Sequence, residues 1–152
     1  MFRAALIVSG MALLAVPAHG AITLQPGEWQ ETTTGTEDGK PVPPEVEKTC
    51  MSPEEAKDPV KQMQEMLKDP SAGECKKLDV KENGNNVSFV MSCGDPKMLA
   101  FEITANFTFI SATRYTGTMK AATSMGGKTM TQDKKIEAVR IGDCNPAAQK
   151  KK

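Results

Sequence analysis

Between Leu99 and Ile110 the chain alternates apolar and polar residues. Leu99, Phe101, Ile103, Ala105, Phe107 and Phe109 share one parity, while Glu102, Thr104, Asn106 and Thr108 take the other. A period of two is that of a strand with one face covered and one face wet. After a loop at Ser111-Ala112-Thr113, the residues Tyr115, Gly117, Met119 and Ala121 return as the partner strand. In the register this loop sets, Tyr115 opposes Phe109 and Gly117 opposes Phe107. The first pair is aromatic on aromatic, and the glycine leaves room for a ring.

The stretch Cys75–Cys93 carries a second hairpin. Asn83-Gly84-Asn85-Asn86 supplies residues that tolerate positive φ, as tight turns require. With Gly84-Asn85 as the loop, Val80 opposes Phe89 and Leu78 opposes Met91, so both apolar sets share a face. That register puts Lys76, not Cys75, opposite Cys93. A bond between the two cysteines therefore predicts a β-bulge near Lys76-Lys77.

Upstream, Pro26-Gly27 is a turn before a threonine-rich strand, Glu28 to Gly35, and Glu37-Asp38-Gly39 is the next turn. Lys40 to Pro44 reads as extended, and Glu45 to Met51 as a second strand. Trp29 is expected as a core or rim anchor. Ser52 at N-cap, Pro53 at N1 and Glu55 at N3 form a capping box. Asp58-Pro59 repeats the start signal, so the helix breaks and restarts, with Val60, Met63 and Leu67 on one stripe facing the sheet. Asp69 to Gly73 ends it. Gly94-Asp95-Pro96-Lys97 is a loop, Gly126-Gly127 a tight turn, and Thr129 to Ile141 the last strand. The parity of that strand changes after Ala138, which predicts a bulge or register switch near that residue. The fold is mainly β: a single antiparallel sheet strongly bent into a half-open barrel, with one short helical insert. A β-sandwich is the alternative.

Composition places this domain. Arg3 precedes an apolar run from Ala4 to Val16, and Ala18-His19-Gly20 is a small-x-small cleavage site. Residues 1–20 read as a secretory signal peptide, 21–144 as a single disulfide-tied domain and 145–152 as a disordered basic tail. Cleavage near Gly20 gives a periplasmic or secreted protein with no membrane span in the mature chain. The full chain holds 19 basic and 19 acidic residues. This balance favours neither nucleic acid nor an anionic membrane as a partner.

The four cysteines, Cys50, Cys75, Cys93 and Cys144, are an even count in an exported chain and imply disulfides. Hairpin geometry favours Cys75–Cys93, which leaves Cys50–Cys144. A four-cysteine zinc site is the rival, but no C-x-x-C pair exists. The one histidine, His19, falls in the signal segment. Histidine-based triads, histidine-ligated zinc and histidine acid–base catalysis are thereby excluded from the mature chain.

Several of these features coincide in order: Leu24-Gln25-Pro26-Gly27-Glu28-Trp29, then Cys50 to Ala56, Glu74-Cys75-Lys76, Ser92-Cys93, Tyr115-Thr116-Gly117 and Gly142-Asp143-Cys144. Together they resemble the bacterial family of unknown function numbered 3617, which consists of small exported proteins. The resemblance runs from Leu24 to Cys144. It implies secretion and four structural cysteines, and it implies no activity.

Three classes of function remain. A binding or structural module would hold a small apolar ligand on Phe101, Ile103, Phe107, Phe109, Tyr115 and Met119, or engage a protein partner. The plain alternative is that these side chains are simply core. A Cu(I)-handling protein would use thioethers among Met51, Met63, Met66, Met91, Met98, Met119, Met125 and Met130. An enzyme would need a carboxylate pair. Capping accounts for Glu54, Glu55 and Asp58, and Asp133 and Glu137 lie on a wet strand face. The sequence nominates no catalytic residue, no cofactor and no metal ligand set.

Overall fold

The computed structural model describes residues 22–66, 75–95 and 97–144. Seven strands form one antiparallel sheet: β1 (Gly27–Glu37), β2 (Lys40–Met51), β3 (Cys75–Asn83), β4 (Asn86–Asp95), β5 (Leu99–Ser111), β6 (Arg114–Met125) and β7 (Lys128–Gly142). Two short helices, α1 (Pro53–Lys57) and α2 (Pro59–Met66), follow β2. The expected signal segment, the stripe residue Leu67 and the basic tail lie outside the described residues.

The strand order is β2-β1-β7-β6-β5-β4-β3. This is the neighbour list of an up-and-down barrel with one pair missing, β2 with β3. The helices belong to the segment that joins those two edges. The sheet is thus an open barrel, not a sandwich. Its bend shows in the core: Trp29 of β1, Val87 of β4, Phe109 of β5 and Ala138 of β7 pack in one cluster with Ala56 and Val60 of the helices.

Local chemistry accounts for each element. Asp38 and Gly39, both at positive φ, make the two-residue β1–β2 turn. Gly84 and Gly126-Gly127 serve the same purpose in later hairpins. Both arms of the capping box are made: the Glu55 backbone N–H donates to Ser52 Oγ over 3.2 Å, and the Ser52 N–H donates to Glu55 Oε2 over 2.7 Å. The restart at Asp58 is real as well, since the Lys61 N–H donates to Asp58 Oδ1 over 3.0 Å. Leu24 ties α1 down by donating its N–H to the Ala56 carbonyl over 2.8 Å.

The central hairpin has the expected register. Val80 faces Phe89, Leu78 faces Met91, and the ladder slips between Cys75 and Lys77, so Lys76 is the extra residue and Cys75 stands opposite Cys93. Two disulfides pin opposite ends of the sheet, Cys75–Cys93 at one and Cys50–Cys144 at the other.

Three boundaries differ from the sequence reading. β2 starts at Lys40, not Glu45, and runs through Pro41, Pro43 and Pro44. It is an edge strand, so missing N–H groups cost no ladder bonds, and its register slips by one residue across those prolines. β4 continues through Gly94 and Asp95, which pair with Ala100 and Leu99, where a loop was expected. Finally, the ladder is regular at Ala138. The slip lies beyond it, where Glu28 pairs with Gly142 and Trp29 with Arg140, making Ile141 the extra residue. Val139 is an apolar residue on the outward face, which mimicked a parity switch.

Candidate functional site

The inner face of the sheet divides into two halves. Strands β4, β5 and β6 line theirs with rings: Phe89 and Phe107 stack at 6.2 Å between centroids, Phe107 meets Tyr115 edge-on at 6.1 Å, and Phe109 lies 5.6 Å from Tyr115. Trp29 closes the row at 5.7 Å from Tyr115 and donates its indole N–H to the Gln25 carbonyl over 3.0 Å. It is a buried core anchor at 2 % exposure.

Helix α2 stands off from this aromatic floor. Between them lies a cavity of about 420 Å³. Phe89, Phe107, Phe109, Tyr115, Ile136 and Met51 line it from the sheet, Pro59, Gln62 and Met63 from the helix, and Leu24 from the segment before β1. The helix stays over it because its Val60, together with Ala56 of α1, is buried in the core cluster. Mostly apolar walls with a few polar groups at the border are the usual make-up of a small-molecule site.

The polar border is specific. Tyr115 donates its hydroxyl to Glu31 Oε2 over 3.1 Å. Burial pushes the Tyr115 hydroxyl well above the ordinary tyrosine range, and the charge of Glu31 and the hydrogen bond to it act in the same direction. The tyrosine is therefore a neutral donor at any physiological pH. Beyond Glu31 the inner face of β1, β2 and β7 is polar. A second hollow of about 200 Å³ is lined there by Glu31, Thr33, Glu45, Glu47, Met119, Lys134 and Ile136.

Of the residues nominated from sequence, Phe107, Phe109 and Tyr115 meet in the apolar cavity. Phe101, Ile103 and Met119 share their parity but lie further down the strands, and Met119 borders the acidic hollow. Leu24, Phe89, Ile136 and Glu31 were not nominated, and Met51 and Met63 were named only as thioethers for copper. Parity within their own strands could have found Phe89 and Ile136. Met51 and Met63 share the cavity, Met91 is buried on β4, and Met98, Met125 and Met130 stand exposed at the opposite end of the sheet. The register thus spreads the thioethers over the molecule.

Of the carboxylates named above, four have structural partners, and one of these, Glu55, also lines the apolar cavity. Glu55 and Asp58 cap helices. On the outer face Asp133 pairs with Lys120 at 3.3 Å, and Glu137 pairs with Arg114. A further hollow of about 470 Å³ on that face is lined mainly by hydroxyl and charged side chains, among them Thr32, Thr108, Thr116 and Lys135. It has no aromatic wall. Among the described residues, no three His, Cys, Asp or Glu side chains are grouped to hold a metal ion, and no helix is long and apolar enough to cross a membrane.

A family model described as a protein of unknown function, DUF3617, matches residues 24–144. No curated protein and no solved structure matches the chain.

Proposed function

Because the chain belongs to the DUF3617 family, whose function is unknown, it inherits no activity, and we propose from its own geometry that it is a non-enzymatic binding module of the cell envelope. Its ligand is a small apolar molecule, held between α2 and the aromatic half of the sheet. The observation that carries this reading is the cavity of about 420 Å³ walled by Phe89, Phe107, Phe109, Tyr115 and Met63. A hollow of this size, kept open beneath a capped helix, is what a ligand site requires.

Two disulfides suit an oxidising compartment, and the leader read at residues 1–20 supports export to the periplasm or beyond. For the copper reading, one structural point speaks in favour: Met51 and Met63 line the same cavity. Two thioethers are equally apt as adaptable apolar lining.

Native mass spectrometry on protein purified from the periplasm tests both readings. A small organic mass that is lost on denaturation supports the proposal. A copper-sized increment promotes the methionines instead. A bare protein that also fails to retain added N-phenyl-1-naphthylamine, an uncharged apolar probe, overturns the ligand site.

A further inference from the structure

We propose, resting on the reading of this face as a ligand site, that its occupant is a cationic amphiphile: an apolar body in the aromatic cavity with an amine or quaternary ammonium head in the acidic hollow beside it. The two hollows are neighbours, since Glu31 and Ile136 line both. One is apolar, and the other sets three glutamates, Glu31, Glu45 and Glu47, against a single Lys134.

The carboxylates stand in an arrangement that the fold alone does not favour. Glu31 pairs directly across the ladder with Glu47, and Thr33 with Glu45, so the charges gather on neighbouring positions of β1 and β2. Like charges directly opposite in a sheet repel. Among the described residues no ion pair engages any of the three. A cationic head placed there relieves the repulsion. The carboxylates are not grouped as metal ligands, and the apolar cavity next to them has no use for a bare ion. Both points favour a diffuse organic charge carried on a hydrophobic body. The Tyr115–Glu31 hydrogen bond marks the boundary where body meets head.

The test compares three ligands of equal chain length, decyltrimethylammonium, 1-decanol and decyl sulfate, each below its micellar concentration. Trp29, the one tryptophan, reports binding through its contact with Tyr115. The expected order is cation, then alcohol, then sulfate, with the cation ahead of the alcohol by about tenfold or more at low salt. That lead shrinks as salt screens the carboxylates, and it falls in the double variant Glu45→Gln/Glu47→Gln. Similar affinities for all three ligands overturn the cation assignment and leave the apolar site standing. Failure of all three, 1-decanol included, overturns both.

Discussion

Gly117 stands opposite Phe107 in the β5–β6 ladder, and the space above its Cα belongs to the Phe107 ring. A Cβ at Gly117 would lie 2.6 Å from Cδ1 and 2.7 Å from Cε1 of that ring. Phe107 also walls the apolar cavity, so the glycine decides how far the aromatic floor sinks into the sheet. In Gly117→Ala the ring must rise into the cavity. The expected cost is about 1–3 kcal/mol, read as a lower urea midpoint at unchanged slope. Uptake of N-phenyl-1-naphthylamine falls with it. Wild-type stability and uptake in the variant would show that the ring has another place to go.

The two disulfides differ in the length of chain they close. Cys50–Cys144 spans 94 residues and Cys75–Cys93 spans 18. In the chain-entropy picture the longer bond stabilises by about 1.5 kcal/mol more. Replacing Cys50 and Cys144 together by alanine is therefore predicted to lower stability further than replacing Cys75 and Cys93. Equilibrium urea unfolding of the two double variants checks the order.

Tyr115 is the one tyrosine, and its hydroxyl is held neutral. An acid whose folded pKa is raised binds its proton more tightly in the folded state. Its contribution is intact below the unfolded tyrosine value of about 10 and is lost as pH rises above it. The tyrosinate absorbance should therefore appear only together with alkaline unfolding. Tyr115→Phe should make that alkaline fall in stability shallower. A tyrosinate signal that rises at ordinary tyrosine pH in folded protein would contradict the buried donor.

The capping box starts α1, which leads into α2, the roof of the cavity. Ser52→Ala removes the hydroxyl that accepts from the Glu55 N–H and is expected to cost about 1 kcal/mol. Hydrogen exchange should quicken in α1 and α2 before it quickens in β5 and β6. Uniform loosening across the sheet would show that the helices are not a separate unit.

Much of this architecture was legible in the sequence, and the reason is local. Lys76 could be named as a bulge because the turn at Gly84-Asn85 fixes the register and the cysteines then fail to meet without it. Ser52 and Asp58 announce their helix starts with side chains that bond only a few residues away. Pro41, Pro43 and Pro44 misled because a proline reveals nothing about whether its strand lies at an edge. Gly94 and Asp95 have turn chemistry, yet β5 offers them partners. The site was half visible. Parity placed Phe107, Phe109 and Tyr115 on one face, whereas Leu24, Met63 and Glu31 reach the same cavity from segments far away in sequence. No local pattern encodes the pairing of β1 with β7 that brings Glu31 to Tyr115.

The most direct measurement is an isotope-filtered nuclear Overhauser experiment on the labelled protein with bound N-phenyl-1-naphthylamine. Contacts are expected from the probe to the Met63 methyl and to the rings of Phe107, Phe109 and Tyr115. Contacts confined to the threonine-lined outer face, or to the exposed Met98 and Met125 end, would contradict that placement.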